Sequence, residues 1–290
     1  MPMKRVIAVL VVRHGWVVQS IGFERYLPVG RPEIAARFLS EWGADEIVLA
    51  DITATAEGRT VDPDMVERTA ERCYVPLTVG GGLRTIDDMR SVLRSGADKV
   101  LVNTLLIDDI GVIGAAAEVF GNQCLVASID TRAVEDGWRV FGDSGHRDTG
   151  LDPADLAERA MLVGAGEVLL NAIDRDGSRR GYDVALANHV GSRISIPLIL
   201  AGGAGHPGHL VQALSCEYVA AAAAANFFHF TEHTIAVVKA WLHGNGIPAR
   251  RDSFADYAHI AIADDDGRIV KRPEDELERE VFEFIPDEVI

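Results

Sequence analysis

The sequence predicts an α/β protein: a (β/α)8 barrel, the TIM-barrel fold, made of two similar halves. One observation is a short apolar run over residues 75–82 that ends in three glycines and recurs in closely similar form over residues 196–203. Such a run predicts a buried parallel strand that leads into a tight turn, where backbone N–H groups can approach a ligand. Its recurrence indicates a duplicated half with two equivalent turns.

Other segments repeat at nearly the same spacing, which is the second observation. Four strands in each half, separated by helical segments, predict eight parallel strands joined by right-handed crossovers. The matched segments are residues 6–11 with 125–130, 45–49 with 166–170 and, less cleanly, 97–102 with the run that starts near Tyr218.

The elements of the first half follow from these runs. After the first strand, residues 13–31 are rich in glycine and proline, and we expect a long loop there that could act as a lid. A helix over 32–42 is predicted because its apolar residues fall on one face. The other elements are a strand over 47–52, a helix over 63–73, a strand into the first glycine turn, a helix that Thr85 caps, and a strand that ends at residues 103–104.

The second half begins with a strand that ends at Asp130, followed by a second long loop around residues 142–146. The sixth strand leads into residues 173–177, a glycine loop rich in acidic residues. The eighth strand, residues 218–225, is rich in alanine. Its small side chains would either let the backbone approach a ligand or serve tight packing of the strand against helices.

Composition limits the classes of partner. The length of 290 residues and 48% hydrophobic content suit one large barrel domain, which we assign to residues 1–250. A net charge of −16 argues against nucleic acid or an anionic membrane as a general partner. The sequence shows neither an apolar run of membrane-spanning length nor a signal peptide, so we expect a cytoplasmic protein. The three cysteines, Cys73, Cys124 and Cys216, have no metal-site spacing and read as buried thiols in a reducing compartment.

Residues 251–290 form an acidic C-terminal extension, with 13 Asp or Glu against five Lys or Arg. A solvated arm and a contact with an oligomer or partner are both open interpretations. The apolar side chains of Val281, Phe282, Phe284 and Ile285 predict that the end of this tail docks on the barrel or on a neighbouring subunit.

Several longer motifs together resemble one known family. The sequence is similar, from Lys4 to about Pro248, to the cyclase subunit of imidazole glycerol phosphate synthase, the ammonia-using half of a glutamine amidotransferase. The motifs that carry this resemblance lie at residues 51–54, 78–82, 96–100, 102–104, 173–177, 181–183 and 202–205.

The resemblance implies a substrate with a phosphate at each end, bound across the barrel mouth. Turns at the carboxyl ends of barrel strands suit this role, because they offer unpaired N–H groups and helix N-termini. Each glycine alone could equally serve a plain turn. The family usually has serine where this sequence has Asn226. The implied phosphate sites are Gly82, Asn103 and Thr104 for one end, and Asp176, Gly177, Gly202, Gly203, Ala225 and Asn226 for the other.

Four charged residues stand at the starts of predicted strands: Arg5, Glu46, Lys99 and Glu167. They would form one layer at the barrel floor, where polar residues usually serve stability. The resemblance implies a different role, a gate through which ammonia enters from a glutaminase docked on this N-terminal face.

The family's cyclisation needs two facing carboxylates, one acting as acid and one as base. Asp130 supplies one, but its repeat mate is Val11, and Gln19 stands where the family has a catalytic lysine. Asp51 or His14 could replace the missing base, although a structural role suits each of them better.

We therefore expect an ammonia-using synthase subunit that amidates another phosphorylated or nucleotide-linked sugar, as in surface-glycan pathways. One alternative is a genuine cyclase, which forms imidazole glycerol phosphate and AICAR in histidine biosynthesis. Another is a scaffold that only binds phosphosugars or a partner. The sequence contains no motif for a cofactor or a metal, so ATP activation would have to come from a partner.

Overall fold

A computed structural model describes residues 3–229 and 233–253, and these residues form twelve strands and ten helices. The strands are β1 (Arg5–Arg13), β2 (Trp16–Ile21), β3 (Arg25–Gly30), β4 (Glu46–Asp51), β5 (Leu77–Gly80), β6 (Lys99–Val102), β7 (Leu125–Val134), β8 (Gly137–Gly142), β9 (Arg147–Asp148), β10 (Glu167–Ala172), β11 (Leu198–Ala201) and β12 (Val219–Ala224).

The helices lie between the barrel strands, as the alternating pattern predicts. They are α1 (Pro32–Glu41), α2 (Pro63–Ala70), α3 (Ile86–Arg94), α4 (Thr104–Asp108), α5 (Ile110–Phe120), α6 (Pro153–Val163), α7 (Val184–Gly191), α8 (Pro207–Ser215), α9 (Asn226–His229) and α10 (Thr234–Gly244), with 3-10 turns at Asn122–Cys124, Asp143–Gly145 and Ile173–Arg175.

Eight of the strands close into a parallel barrel, so the predicted fold is confirmed. Around the barrel the order is β1, β4, β5, β6, β7, β10, β11 and β12, and β12 pairs with β1 to complete the ring. Closure leaves the barrel sheet without an unpaired edge.

The two halves repeat in register as well as in sequence. β1 pairs with β4 from Ile7↔Glu46 to Val12↔Asp51. β7 pairs with β10 in the same way, from Val126↔Glu167 to Thr131↔Ala172. The duplication predicted from the sequence is therefore present in the pairing of the strands.

Apolar side chains fill the barrel interior and pack the helices on its outside. The larger cluster lies between the sheet and the surrounding helices. A second cluster occupies the inside of the barrel, and its burial from water favours the closed form. Its members are Ile7, Val48, Val126, Leu169, Ile199, Ala201, Ala221 and Ala223.

Local signals fix where several helices begin. Proline occupies the first turn of α1, α2, α6 and α8, where its missing N–H costs no hydrogen bond. Thr85 caps α3 as predicted, in a capping box with Asp88. α1 agrees with its predicted span to within one residue, whereas α2 ends at Ala70 rather than at the predicted residue 73.

The two long loops predicted after the first and fifth barrel strands are instead antiparallel β-structure. β2 pairs with β1 and β3, and β8 pairs with β7 and β9. The turn between β1 and β2 is the pair His14-Gly15, with φ of 49° and 80°, which is typical of a tight hairpin. Because β7 continues into its own hairpin, it ends at Val134 and not at Asp130.

Within the described residues, no helix combines the length and apolar character needed to cross a bilayer. Residues 254–290, and with them the predicted docking of the acidic tail, lie outside the described part of the chain.

Candidate functional site

A cavity of about 370 Å³ opens at the carboxyl ends of the barrel strands. Both glycine turns line it, one after β5 and the other after β11. The predicted catalytic pair, Asp130 and Asp51, lines it too. So do all the predicted phosphate-binding residues: Gly82, Asn103, Thr104, Asp176, Gly177, Gly202, Gly203, Ala225 and Asn226.

The two turns require glycine at equivalent positions. Gly82 has φ of 64°, and a Cβ placed on it would lie 1.9 Å from the carbonyl oxygen of Arg59. Gly203 has φ of 99°, and its Cβ would lie 2.1 Å from the carbonyl oxygen of Gly181. A side chain at either position would collide with backbone, so both turns hold a backbone path that only glycine allows.

Two amides grip the Asp130 carboxylate. Asn171 Nδ2 donates to its Oδ1 at 2.9 Å, and Asn103 Nδ2 donates to its Oδ2 at 3.2 Å. Burial raises the pKa of Asp130 to about 6, the nearby Asp176 adds to the rise, and the two amides oppose it. An aspartate with this pKa can both accept and release a proton near neutral pH.

Asn171 is a site residue that the sequence analysis missed. It lies in β10, paired in register with Asp130, and its side chain reaches the carboxylate directly. A polar residue within an otherwise apolar buried strand was the signal that could have identified it.

The repeat mates of these polar residues, on the opposite side of the cavity, are apolar. Val11 pairs with Ala50 in the same register in which Asp130 pairs with Asn171. Ala225 and Asn103 also occupy matching places. Ala225 follows β12, which pairs with β1, and Asn103 follows β6, which pairs with β7. We call Asn103, Asp130 and Asn171 the polar wall, and Ala225, Val11 and Ala50 the apolar wall; all six residues line the cavity.

The two proposed replacements for the missing carboxylate have other partners. Both oxygens of Asp51 are occupied, since Oδ2 pairs with Arg59 at 2.7 Å and Oδ1 accepts bonds from the Thr53 backbone and hydroxyl. His14 does not line the cavity; its ring lies 3.2 Å from Glu57 and is largely exposed. Asp51 thus lines the cavity as a carboxylate paired with Arg59, and His14 lies outside the cavity lining.

The β2–β3 hairpin is fastened to the phosphate-site residues after β10 and β12. The Asn226 side chain makes two bonds with the Ser20 backbone, donating to its oxygen at 2.5 Å and accepting from its nitrogen at 3.1 Å. The Ser20 hydroxyl donates to Asp176 at 2.7 Å, and burial raises the pKa of that carboxyl. Since its amide is engaged, Asn226 could meet an anion through its backbone N–H. Gln19, the residue before Ser20, also lines the cavity.

At the opposite end of the barrel, the four predicted floor residues form a closed ring of ion pairs. Arg5 bonds Glu46 at 2.9 Å and Glu167 at 2.8 Å, and Lys99 bonds Glu46 at 3.1 Å and Glu167 at 2.9 Å. The Thr78 hydroxyl also donates to Glu46 at 2.6 Å. Charges therefore alternate around the ring, and each side chain is held by two neighbours of opposite sign.

Comparison with known proteins places this architecture in a family. The family model for histidine biosynthesis proteins matches residues 5–234, which include the barrel strands and the cavity. The chain belongs to this family.

Individual members of the histidine biosynthesis family match nearly their full length. The chain is 44% identical over 248 residues to imidazole glycerol phosphate synthase subunit HisF of Bacillus cereus, covering 85% of this chain and 98% of the relative. It is 45% identical over 251 residues to the subunit of the same name from Dehalococcoides mccartyi strain CBDB1, covering 86% and 99%. The resemblance predicted from the motifs is confirmed, and these family members are enzyme subunits.

Proposed function

We propose that the chain is the ammonia-using synthase subunit of a glutamine amidotransferase, acting on a small substrate that carries phosphates. The two glycine turns support this, because they lie on opposite sides of one cavity and offer backbone N–H groups to two anionic ends. Asp130 lies between them with a pKa suited to proton transfer. Membership of the histidine biosynthesis family supports the same class of reaction.

The acceptor proposed for this ammonia is another phosphorylated or nucleotide-linked sugar, of the surface-glycan type. The observation that carries this is the apolar wall: the side chains of Val11, Ala50 and Ala225 offer no proton donor or acceptor at the positions that match Asp130, Asn171 and Asn103. A cyclisation that depends on two facing carboxylates would lack one of them, at a cost of about 10²–10⁴ in rate. Addition of ammonia to one electrophilic carbon needs a single base.

In this scheme ammonia nitrogen bonds to a carbonyl carbon of the acceptor while the C=O π bond breaks and its electron pair moves to the oxygen. Asp130 takes one proton from the nitrogen and passes it to that oxygen, which gives a carbinolamine. Asn103 and Asn171 hold the carboxylate in place for this step. Since the pKa of Asp130 is about 6, most of the group is ionised at neutral pH and ready to accept that proton.

Ammonia would reach the cavity from the barrel floor. The ring of Arg5, Glu46, Lys99 and Glu167 stands at that end, and a glutaminase of the HisH type would dock against it. Above the ring, the small side chains of Ala221 and Ala223 face the interior with other apolar residues, which suits passage of neutral ammonia. We place this reaction in the cytoplasm.

The second candidate is the cyclase reaction itself, and a specific observation favours it. The relatives at 44–45% identity are imidazole glycerol phosphate synthase subunits, and the match covers almost their whole length. In this case Asp130 would serve as both acid and base, since Asp51 is tied to Arg59.

One experiment separates the two candidates. The gene is placed in a histidine auxotroph that lacks the cyclase subunit, and the purified protein is assayed with the ribulosyl aminoimidazole-carboxamide substrate and excess ammonium salt. We expect no robust growth and no ammonium-dependent product; growth with steady turnover would overturn the sugar proposal and establish the cyclase. If an assay with the cognate glutaminase and candidate phosphosugars gives binding without any aminated product, the protein is a scaffold.

A further inference from the structure

The described part of the chain ends beside one end of α1. Lys4 N donates to Pro248 O at 2.7 Å, and Lys4 pairs with Ala249 beside the start of β1. Arg250 then bonds Asp45 Oδ1 at 3.1 Å. The described chain ends with Ser253, which packs so close to Gly43 that a Cβ on that glycine would lie 3.2 Å from the Ser253 Cβ.

Two apolar side chains are exposed on the adjacent helix. Ile34 and Phe38 are each 43% exposed, four residues apart on the outside of α1. Residues at this spacing lie one above the other on a helix, and Trp42, four residues further on, has its ring 5.8 Å from that of Phe38. We call Ile34 and Phe38 the outer face of α1. The last described residue, Ser253, lies beside the C-terminal end of this helix.

We propose that residues 281–285 of the tail dock on the outer face of α1. The sequence continues for 37 residues beyond Ser253 and carries Val281, Phe282, Phe284 and Ile285 close to its end. Phe38 lies about 8 Å along the helix from Gly43, at 1.5 Å per residue. The 27 residues 254–280 can span at most about 90 Å at roughly 3.3 Å per residue, so this face lies within the reach of the segment.

The size of the face favours an occupant from the same chain. A stable contact between separate proteins buries about 800 Å² on each partner, far more than two half-exposed side chains provide. A tethered segment needs much less, because its effective concentration is in the millimolar range. Leu162, at 75% exposure on α6, is another exposed apolar side chain, but the described chain does not end beside it.

Thiol labelling tests this contact directly. An Ile34→Cys reporter is alkylated with iodoacetamide and followed site by site with mass spectrometry, which separates it from Cys73, Cys124 and Cys216. The reporter is compared in the full chain, in a chain that stops after Ser253, and in a full chain with Phe282→Ser and Phe284→Ser. A Leu162→Cys reporter in the same three backgrounds is the matched control.

We expect Cys at position 34 to react at least about threefold faster in both altered backgrounds, with no change at position 162. Equal rates at position 34 in all three would overturn the proposal. So would acceleration by truncation alone, which would assign the contact to another part of the tail, or protection that grows with protein concentration, which would assign it to a second copy. Hydrogen exchange of α1 with and without Phe282→Ser and Phe284→Ser gives the same answer without any reporter cysteine.

Discussion

The polar wall and the apolar wall occupy equivalent places in the two repeats of the barrel, yet they have opposite chemistry. On one side, Asn171 and Asn103 hold the carboxylate of Asp130. On the other side, the matching positions are Ala50, Ala225 and Val11, which offer only carbon. A ligand that spans the cavity therefore meets three hydrogen-bonding side chains on one side and three apolar side chains at the matching positions on the other.

The floor of the barrel is matched in part. Glu46 and Glu167 are repeat mates, and each accepts from both Arg5 and Lys99. The two basic residues have no charged mates, because Cys124 stands at the repeat position of Arg5 and an alanine of β12 stands at that of Lys99. One pair of mates is thus the same at the floor, whereas all three matched positions differ at the carboxyl ends of the strands, where barrels place their chemistry. The comparison teaches that the asymmetry of the mouth lies where the reaction is expected.

The largest expected effect comes from removing the carboxylate of the polar wall. Asp130→Asn should lower ammonium-dependent turnover about 10²–10⁴-fold, because the base that Asn103 and Asn171 hold in the cavity is lost. Turnover is measured with saturating ammonium salt, without a glutaminase, on the substrate that the proposed function identifies.

The matched control for that change is Asp51→Asn. Asp51 pairs with Arg59 and Thr53, so its loss should lower the melting temperature while costing much less in rate. If instead Asp51→Asn abolishes turnover and Asp130→Asn does not, Asp51 is the base and the contrast between the walls does not describe the reaction.

The next effect should appear at the floor, where the repeats agree. Glu46 is 1% exposed and also accepts from Thr78, so Glu46→Gln should cost more stability than Glu167→Gln, at most about 3–5 kcal/mol. Burial acts to raise the pKa of Glu167, but its bonds with Arg5 and Lys99 outweigh this and lower it. The Glu167 contribution should therefore hold at neutral pH and fade below about pH 4, as the carboxylate is protonated.

Urea unfolding of the two floor variants measures this difference. Equal losses of unfolding free energy at pH 7 would mean that the greater burial of Glu46 and its bond with Thr78 contribute nothing to stability. A loss at Glu167 that persists unchanged at pH 3 would contradict the ion-pair account.

A smaller, pH-dependent effect should separate the polar wall from the rest of the fold. The pKa of Asp130 in the folded protein, about 6, exceeds the ordinary value near 3.9 for an unfolded chain. Its contribution to stability is therefore fully present below about pH 4 and is lost as the pH rises through 6. Above pH 7 the ionised group costs the fold up to about 3 kcal/mol.

Melting curves of Asp130→Asn and the parent protein at pH 4 and pH 8 check this sign. The melting temperature of the variant relative to the parent should rise between the two pH values by several degrees. A constant difference would mean that Asp130 does not titrate in this range.

The sequence predicted the barrel, its duplication and a set of residues that line the cavity, because these depend on patterns that repeat along the chain. The glycines and prolines of residues 13–31 predict a loop, and this prediction is wrong. The adjacent β-branched residues Val17 and Val18 were the signal for the strand that the structure shows there. Asp51 seemed available as a base because Arg59 lies eight residues away and only the fold brings the two together. Asn171 was overlooked because its meaning depends on the register between β7 and β10.

The smallest expected effect concerns Asn171 and tests the difference between the polar wall and the apolar wall at a single position. Asn171→Ala makes the polar wall match Ala50 at one position and removes the bond to Asp130 Oδ1. A hydrogen bond of about 1 kcal/mol to the ionised form corresponds to roughly 0.7 of a pH unit, so the pH at which turnover reaches half its maximum should rise by about that amount. The matched control is Ala50→Asn. It adds an amide beside Val11, which has no carboxylate to bond, and should leave this pH unchanged. A lower maximum rate without any displacement of the profile would show that Asn171 contacts the substrate instead of tuning Asp130.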